Sequence, residues 1–397
     1  MDNILENYYL AKNDSTFAGK IRTALKDAID ITRRNIPKFA SGDVYPSTNY
    51  YGENYAKIRN GGEGSDMWTE GFWPGRLWLC YEETGEDAFR DLAEKNLKDF
   101  YRRLDRNINV DWTHDIGFLY TPSAVAPYKI TGDEFARKTA LEAAFVLSRR
   151  FRAKGEFIQS MGCELCKEYY RAIADTMMNL PLLFWAAEEA NVPKYREYAE
   201  KHAKTTIKYL LRENGGVYHH FLFNNVDGEP LHGLTLQGAG DESYWSRAQA
   251  WVVYGFAIAY SYVKEDYLKD AFFRTCDFYI SRLPKDYIPY WDFIFDDDDG
   301  EPKDSSAAAI WACGVMEMAR HLPHEGKMNE YLQVLKKTME SLISDKYAIR
   351  FSANEEGLLA HTTPDKPRNE YDLCSAYGDY FYLEALVRAS RNWKMYW

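Results

Sequence analysis

The sequence predicts an all-α fold, an (α/α)6 barrel of six helical hairpins built by residues 1–397 as a single domain. Three observations predict it. Most of the chain carries a helical apolar period, and few stretches read as strands. The helical segments come in pairs, each joined by a short turn, with an aromatic residue opening the second member. The first members are apolar all round and the second members half polar, as an inner and an outer ring require. Internal repetition of this kind means one architecture and not several domains.

An amphipathic helix comes first, at Ile21–Ile36. Gly71–Glu83 is apolar on nearly all sides. After the turn Thr84-Gly85-Glu86-Asp87, Phe89, Leu92, Ala93, Leu97, Phe100, Tyr101 and Leu104 line one face of its partner. The next pair is Ile116–Ile130, the turn Thr131-Gly132-Asp133, and Phe135 to Phe151. A third runs from Tyr170 to Ala190, turns at Asn191-Val192-Pro193, and continues from Tyr195 to Leu210. Tyr244–Val263 pairs with the segment from Tyr267, and Ser305–His321 with the segment from Tyr331. The apolar helix Gly378–Arg388 is last. If it meets the first helix, the ring closes. An open solenoid would need polar end repeats, and Gly378–Arg388 is not polar.

Composition narrows the function. Aromatic residues reach 16%, with 31 Tyr, 21 Phe and 11 Trp, more than a core usually takes, and sugar-binding clefts are a common use of the excess. A net charge of -11 argues against nucleic acid as a partner, although a local basic group would still serve a small anion. No segment reads as a membrane span. Met1–Lys20 has no apolar stretch of the secretory kind, so the expected location is cytoplasmic. Cys163 and Cys166 form a lone CxxC without the second pair of a zinc ribbon or a βαβ context. It is read as a coincidence or a minor structural feature.

Polar groups interrupt the inner helices at one register. Trp68 and Glu70 precede the first, and His114 and Asp115 the second. Asp175 and Asn179 lie four residues apart in the third. Arg247, Gln249 and Trp251 open the fourth, Asp304 the fifth and Asp379 the sixth. Asp304 before Ser305-Ser306 reads as an N-cap, and Asp115 has a capping reading as well. His202 reads as a packed core histidine and Asp296–Asp299 as a solvated loop. His219 and His220 sit in a strand-like or loop segment, placed for one of them to reach the rim. Asp175 lies in Ala172-Ile173-Ala174-Asp175-Thr176-Met177-Met178, where an unpartnered carboxylate is costly. Asp115 and Asp175, with Trp68, Trp251, His114, Gln237 and Arg247, look like a sugar site with an anion-reading cation. One of two neighbouring carboxylates can be held protonated by burial and by repulsion from the other.

At these residues the chain resembles the unsaturated glucuronyl hydrolases, glycoside hydrolase family 88. The matching segments are Trp68-Thr69-Glu70-Gly71-Phe72-Trp73, His114-Asp115-Ile116-Gly117-Phe118-Leu119-Tyr120, Asp175 with Asn179-Leu180-Pro181-Leu182-Leu183, Trp245-Ser246-Arg247-Ala248-Gln249-Ala250-Trp251, Tyr290-Trp291-Asp292, Asp304-Ser305-Ser306-Ala307 and Gly378-Asp379-Tyr380-Phe381-Tyr382-Leu383-Glu384-Ala385. The family consists of (α/α)6 barrels acting on lyase-generated oligosaccharides that end in a 4,5-unsaturated uronate. The resemblance implies an unsaturated uronyl oligosaccharide substrate, with Asp175 as general acid/base protonating C4 and water adding at C5. The hemiketal then opens and the aglycone leaves. It makes Asp115 the second essential carboxylate, and places Trp68, His114, His219, Gln237, Arg247 and Trp251 around the uronate, with Arg247 expected to pair its charge. It implies no metal and no organic cofactor, and names no protein partner.

Two departures stand out. Family members commonly carry Trp where Ser160-Met161 follows Phe157-Ile158-Gln159. Some members that take sulfated fragments have Arg directly before the Gln matching Gln237, and a run containing Ser and Lys before the final helix. Here those places hold Leu236 and Pro364-Asp365-Lys366-Pro367-Arg368. Three other readings compete. They are a rhamnogalacturonyl hydrolase acting on pectin fragments, an inverting glycosidase with its carboxylates ~6.5–9.5 Å apart, and a non-catalytic helical scaffold, which leaves the embedded Asp175 unexplained.

Overall fold

The computed structural model describes residues 10, 14–51, 54–62, 67–163, 166–322 and 326–397. Most of Met1–Lys20, read above for a leader, lies outside them. The helices follow the expected pairs. Helix α1 spans Ser15–Phe39, capped by the Asp14 carboxylate accepting from the Phe17 N–H at 2.9 Å. α2 (Phe72–Thr84) and α3 (Asp87–Asp105) form the next pair. Between them the Gly85 N–H donates to the Tyr81 carbonyl at 2.7 Å with φ at 71°, the left-handed C-cap that glycine favours. α4 (Ile116–Tyr120) and α5 (Ala126–Thr131) are one inner rod, joined by a π-turn over Thr121–Val125. Pro122 sits there, and its missing N–H accounts for the departure from α geometry. α6 (Glu134–Ser148) returns outside it.

The third pair departs from the expectation of one helix over Tyr170–Ala190. Arg171–Ile173 is a strand, β5, Ala174–Met178 a 3-10 turn, and only Leu180–Glu189 is α-helical (α7). Pro181 sits in the first turn of α7, where its missing N–H is tolerated but cannot carry a helix through from upstream. The residues before it instead pair with β6 (His220–Phe223), Ile173 opposite His220. α8 (Pro193–Thr205), α9 (Ser246–Val263), α10 (Asp266–Ser281), α11 (Ser305–His321), α12 (Gly326–Leu342) and α13 (Ala376–Ser390) complete the series.

The inner helices touch in ring order: α2 with the α4–α5 rod, the rod with α7, then α9, α11, α13 and back to α2. α13 also packs on α1, so the first and last elements do meet. A buried ion pair marks the seam. Arg76 of α2 donates to Asp379 of α13 at 2.8 Å and to the Thr32 hydroxyl of α1 at 3.1 Å. Inner helices come close because their facing residues are small. A Cβ on Gly314 of α11 would lie 2.8 Å from the Tyr254 Cα of α9. Among the described residues no helix is long and apolar enough to cross a membrane.

Among the described residues, three small sheets lie outside the repeat. β1 (Val44–Tyr51) pairs with β2 (Asn54–Arg59) and with β8 (Cys374–Ser375). β3 (Phe151–Arg152) pairs with β4 (Phe157–Ile158), and β5 pairs with β6, which pairs in turn with β7 (Pro230–Leu234). Of the two readings of the CxxC, coincidence and a minor structural feature, the second holds: Cys163 and Cys166 are joined as a disulfide in the loop after β4. A bond between two thiols depends on their spatial approach, which spacing alone leaves open.

Candidate active site

Of the predicted polar residues, Asp115, His114, Asp175, Asn179 and Arg247 gather at one mouth of the inner ring, whereas Gln249 donates to the Gly215 and Thr275 carbonyls, Glu70 lies by Arg103, and Asp379 belongs to the seam. Asp115 opens α4. It does not cap the helix with its side chain. One carboxylate oxygen accepts from the Thr113 hydroxyl at 2.9 Å, and the other accepts from the Asn179 amide at 3.3 Å. The amide oxygen of Asn179 also takes the Phe118 N–H at 2.9 Å, which locks the amide's orientation. Gly117 makes this approach possible, since a Cβ there would lie 2.5 Å from the Asn179 Cα. His114 lies beside Asp115, Nε2 at 3.4 Å from its carboxylate, with Nδ1 2.9 Å from the Thr176 hydroxyl. Burial holds this imidazole down to about 4, so it is neutral near pH 7.

Asp175 sits on the 3-10 turn, not on a helix. Its carboxyl is pushed up to about 7, first by burial and then by the charge of Asp115, with the Arg247 charge opposing. Its side chain retains 18% exposure, and Oδ1 has no hydrogen-bond partner. His219 Nε2 stands 3.8 Å away, and its Nδ1 lies 3.2 Å from the Thr235 hydroxyl. Burial, then the charges of Arg247 and Arg171, hold His219 well below the ordinary histidine range.

A chain of contacts closes the rim. His219 lies 4.3 Å from the Trp245 ring, which lies under the Arg247 guanidinium at 4.4 Å. Arg247 in turn lies 4.9 Å from the Tyr377 ring, and Tyr377 stacks on Trp68 at 5.1 Å. Phe118 joins Trp68 to Trp251, at 5.5 and 5.0 Å. Trp251 is fully buried, a floor to the site and not an open platform. Gln237 holds the wall by donating to the Pro364 carbonyl at 2.9 Å.

Arg247 differs most from expectation. Nη1 donates to Asp304 at 3.0 Å and to the Thr363 carbonyl at 2.7 Å, and Nη2 to the Pro364 carbonyl at 2.5 Å. Its fork is therefore already engaged, and only Nε is left unpartnered. Asp304 both caps α11, through the Ser306 N–H at 3.1 Å, and pairs with this arginine. His202 is a core residue, its Nδ1 accepting from the Ile158 N–H at 2.9 Å.

Sequence reasoning passed over Tyr377, Ser160 and Arg171. Asp175 Oδ1, Arg171 Nε, Ser160 Oγ, His220 Nδ1, Arg247 Nε, Trp251 Nε1 and Tyr377 Oη are all buried without a hydrogen-bond partner. Each such group costs ~1–3 kcal/mol, and a polyhydroxylated ligand can satisfy several at once. The signal for Arg171 was a cation written directly before an apolar run with no acid beside it. Tyr377 had none, because its partners are Trp68, ahead of α2, and Arg247 of α9.

A carboxyl titrating near neutrality beside a second carboxylate, at an aromatic barrel mouth, has the makings of acid–base catalysis on a sugar. The class this defines is a glycosidase. The chain belongs to glycoside hydrolase family 88, whose model matches residues 47–384. It is 40% identical over 379 residues to the unsaturated glucuronyl hydrolase of Bacillus sp. (strain GL1), covering 94% of this chain and 98% of that one. It is 40% identical over 331 residues to the unsaturated chondroitin disaccharide hydrolase of Streptococcus pneumoniae, with 83% of each chain covered. The crystal structure of unsaturated glucuronyl hydrolase from Streptococcus agalactiae superposes with a TM-score of 0.90 at 36% identity, covering 96% of this chain and 94% of that one.

Proposed function

We propose that this chain, as one catalytic domain over 1–397, removes the non-reducing-end 4,5-unsaturated uronate from lyase-generated glycosaminoglycan-type oligosaccharides. The observation that carries the reading is the Asp175 carboxyl, held up to about 7 with one oxygen unpartnered. The relatives' names point to the same substrates. The proton leaves Asp175 for C4 of the vinyl ether. Water adds to the electron-poor C5 and returns its proton to the Asp175 carboxylate. The resulting hemiketal opens and the aglycone departs, so the C1–O bond is never attacked directly. Asp115 keeps the Asp175 proton in place by charge repulsion and orients the sugar with His114. Neutral His219 adds a hydrogen-bonding edge, Trp68 packs against the ring, Gln237 and Arg247 line the carboxylate end, and Trp251 closes the floor. We assign the enzyme to the cytoplasm, and fractionation of cells tests that separately.

The test is a panel of unsaturated disaccharides followed by loss of the ultraviolet absorbance of the conjugated double bond. In heavy water, deuterium should enter at C4, and labelled water oxygen should enter at C5. Label at C1 would overturn hydration in favour of ordinary glycosidase chemistry.

A further inference from the structure

Arg171 opens β5, four residues before Asp175. It is 8% exposed, yet its Nε is buried without a partner, and among the described residues its guanidinium makes no hydrogen bond or ion pair. The other buried arginines contrast with it. Arg76 pairs with Asp379, Arg388 with Glu317 and Glu384, and Arg150 donates to backbone carbonyls. A guanidinium carries five donors and stays charged, so burying one unmatched is costly. The nearest identified support is the Tyr169 ring, 5.3 Å from the Arg171 centre.

The position borders the segment that carries His114 and Asp115. The Arg171 carbonyl accepts the Ser160 N–H at 3.2 Å, and the Ser160 carbonyl accepts the His114 N–H at 2.7 Å. Arg171 thus lies across one residue from the segment holding His114 and Asp115, and its charge adds to burial, the main cause, in lowering the titration of His114, His219 and His220. Tyr169 leads outward to Trp112, 6.0 Å away and 39% exposed. Arg247 has only Nε to offer an anion, so the cation with an open fork on this side is Arg171.

We propose that Arg171 is a substrate-binding residue that takes an oxyanion of the sugar, a carboxylate or a sulfate ester, at the edge of the cleft on the His114 side. The planar fork matches either group bidentately, which an ammonium does not. This rests on the reading under Proposed function, so binding is measured apart from turnover. In an Asp175→Asn background, calorimetry gives Kd for an unsaturated disaccharide and for its sulfated counterpart. Adding Arg171→Gln should weaken binding at least tenfold, and Arg171→Lys should restore part of the loss. Equal losses on both ligands assign the fork to the carboxylate, and a loss confined to the sulfated ligand assigns it to the sulfate. Far-ultraviolet circular dichroism and Tm establish that each variant is folded. If Arg171→Gln misfolds, Arg171→Lys alone decides, since it keeps the charge and loses the fork. A folded variant that binds both ligands within twofold of its parent overturns the proposal. Binding without any turnover by the unsubstituted enzyme would dismiss the hydrolase reading and leave the Arg171 comparison valid. No binding of either disaccharide overturns both.

Discussion

Asp175→Asn should do two things, and the second tests the reasoning independently of catalysis. Turnover should fall by at least ~10²–10⁴-fold, the usual contribution of a general acid. The variant should also gain stability relative to the parent as pH rises. Asp175 is raised to about 7 in the folded protein from an ordinary 3.8. A raised acid favours folding below the unfolded pKa, and that contribution is lost as pH climbs through the folded value. At ~1.4 kcal/mol per pH unit, and with the folded group itself half ionised near pH 7, the cost of holding Asp175 neutral grows by about 2.3 kcal/mol between pH 5 and pH 7, then levels off. Unfolding entropy of ~2.1 cal/mol/K per residue is about 0.8 kcal/mol/K for 397 residues, so the expected relative shift is ~3 °C. The assay is calorimetric Tm of both proteins at pH 5, 6, 7 and 8. Constant differences between the two molecules cancel in the comparison. Parallel Tm curves would refute the claim that burial and Asp115 hold this proton.

Three further outcomes follow from the same geometry. kcat/KM should fall about tenfold per pH unit above pH ~7, and Asp115→Asn should move that limb to lower pH, because removing a neighbouring negative charge eases ionisation of Asp175. Gly117→Ala should lower kcat by ~10-fold or more and cost ~1–3 kcal/mol of stability by denaturant titration, since its Cβ would meet Asn179 backbone atoms at 2.5 and 2.8 Å and shift the amide from Asp115. The enzyme should prefer unsulfated disaccharides to their 6-sulfated counterparts by kcat/KM, because Leu236 is an exposed apolar side chain beside Gln237, while Lys366 and Arg368 already face Glu301 and Asp365; Leu236→Arg should shift the ratio toward the sulfated member by ~1.5–3 kcal/mol, and a native preference for sulfate would refute the role given to Leu236.

Much of this molecule was legible before any coordinates. Periodicity identified the hairpins because each helix must hide an apolar face, and the face is written locally. The outer stripe Phe89, Leu92, Ala93, Leu97 and Phe100 is buried as its spacing required. α9 and α11, buried along most of their length, line the inner ring. Asp175 was conspicuous for the same local reason, a carboxylate set among apolar neighbours. What tertiary structure alone decided is which distant groups meet. The strand at Arg171–Ile173 exists because β6, some fifty residues on, supplies its hydrogen bonds. The fork of Arg247 is engaged by Asp304, Thr363 and Pro364, none of them near it in sequence. The disulfide needed two thiols brought into contact, and the Asp175 proton needs the charge of Asp115 across the rim. Helical period and burial are short-range properties, carried by each segment's own residues. Hydrogen-bond partners, pKa values and an open guanidinium are set by proximity, which the closure of the ring alone creates.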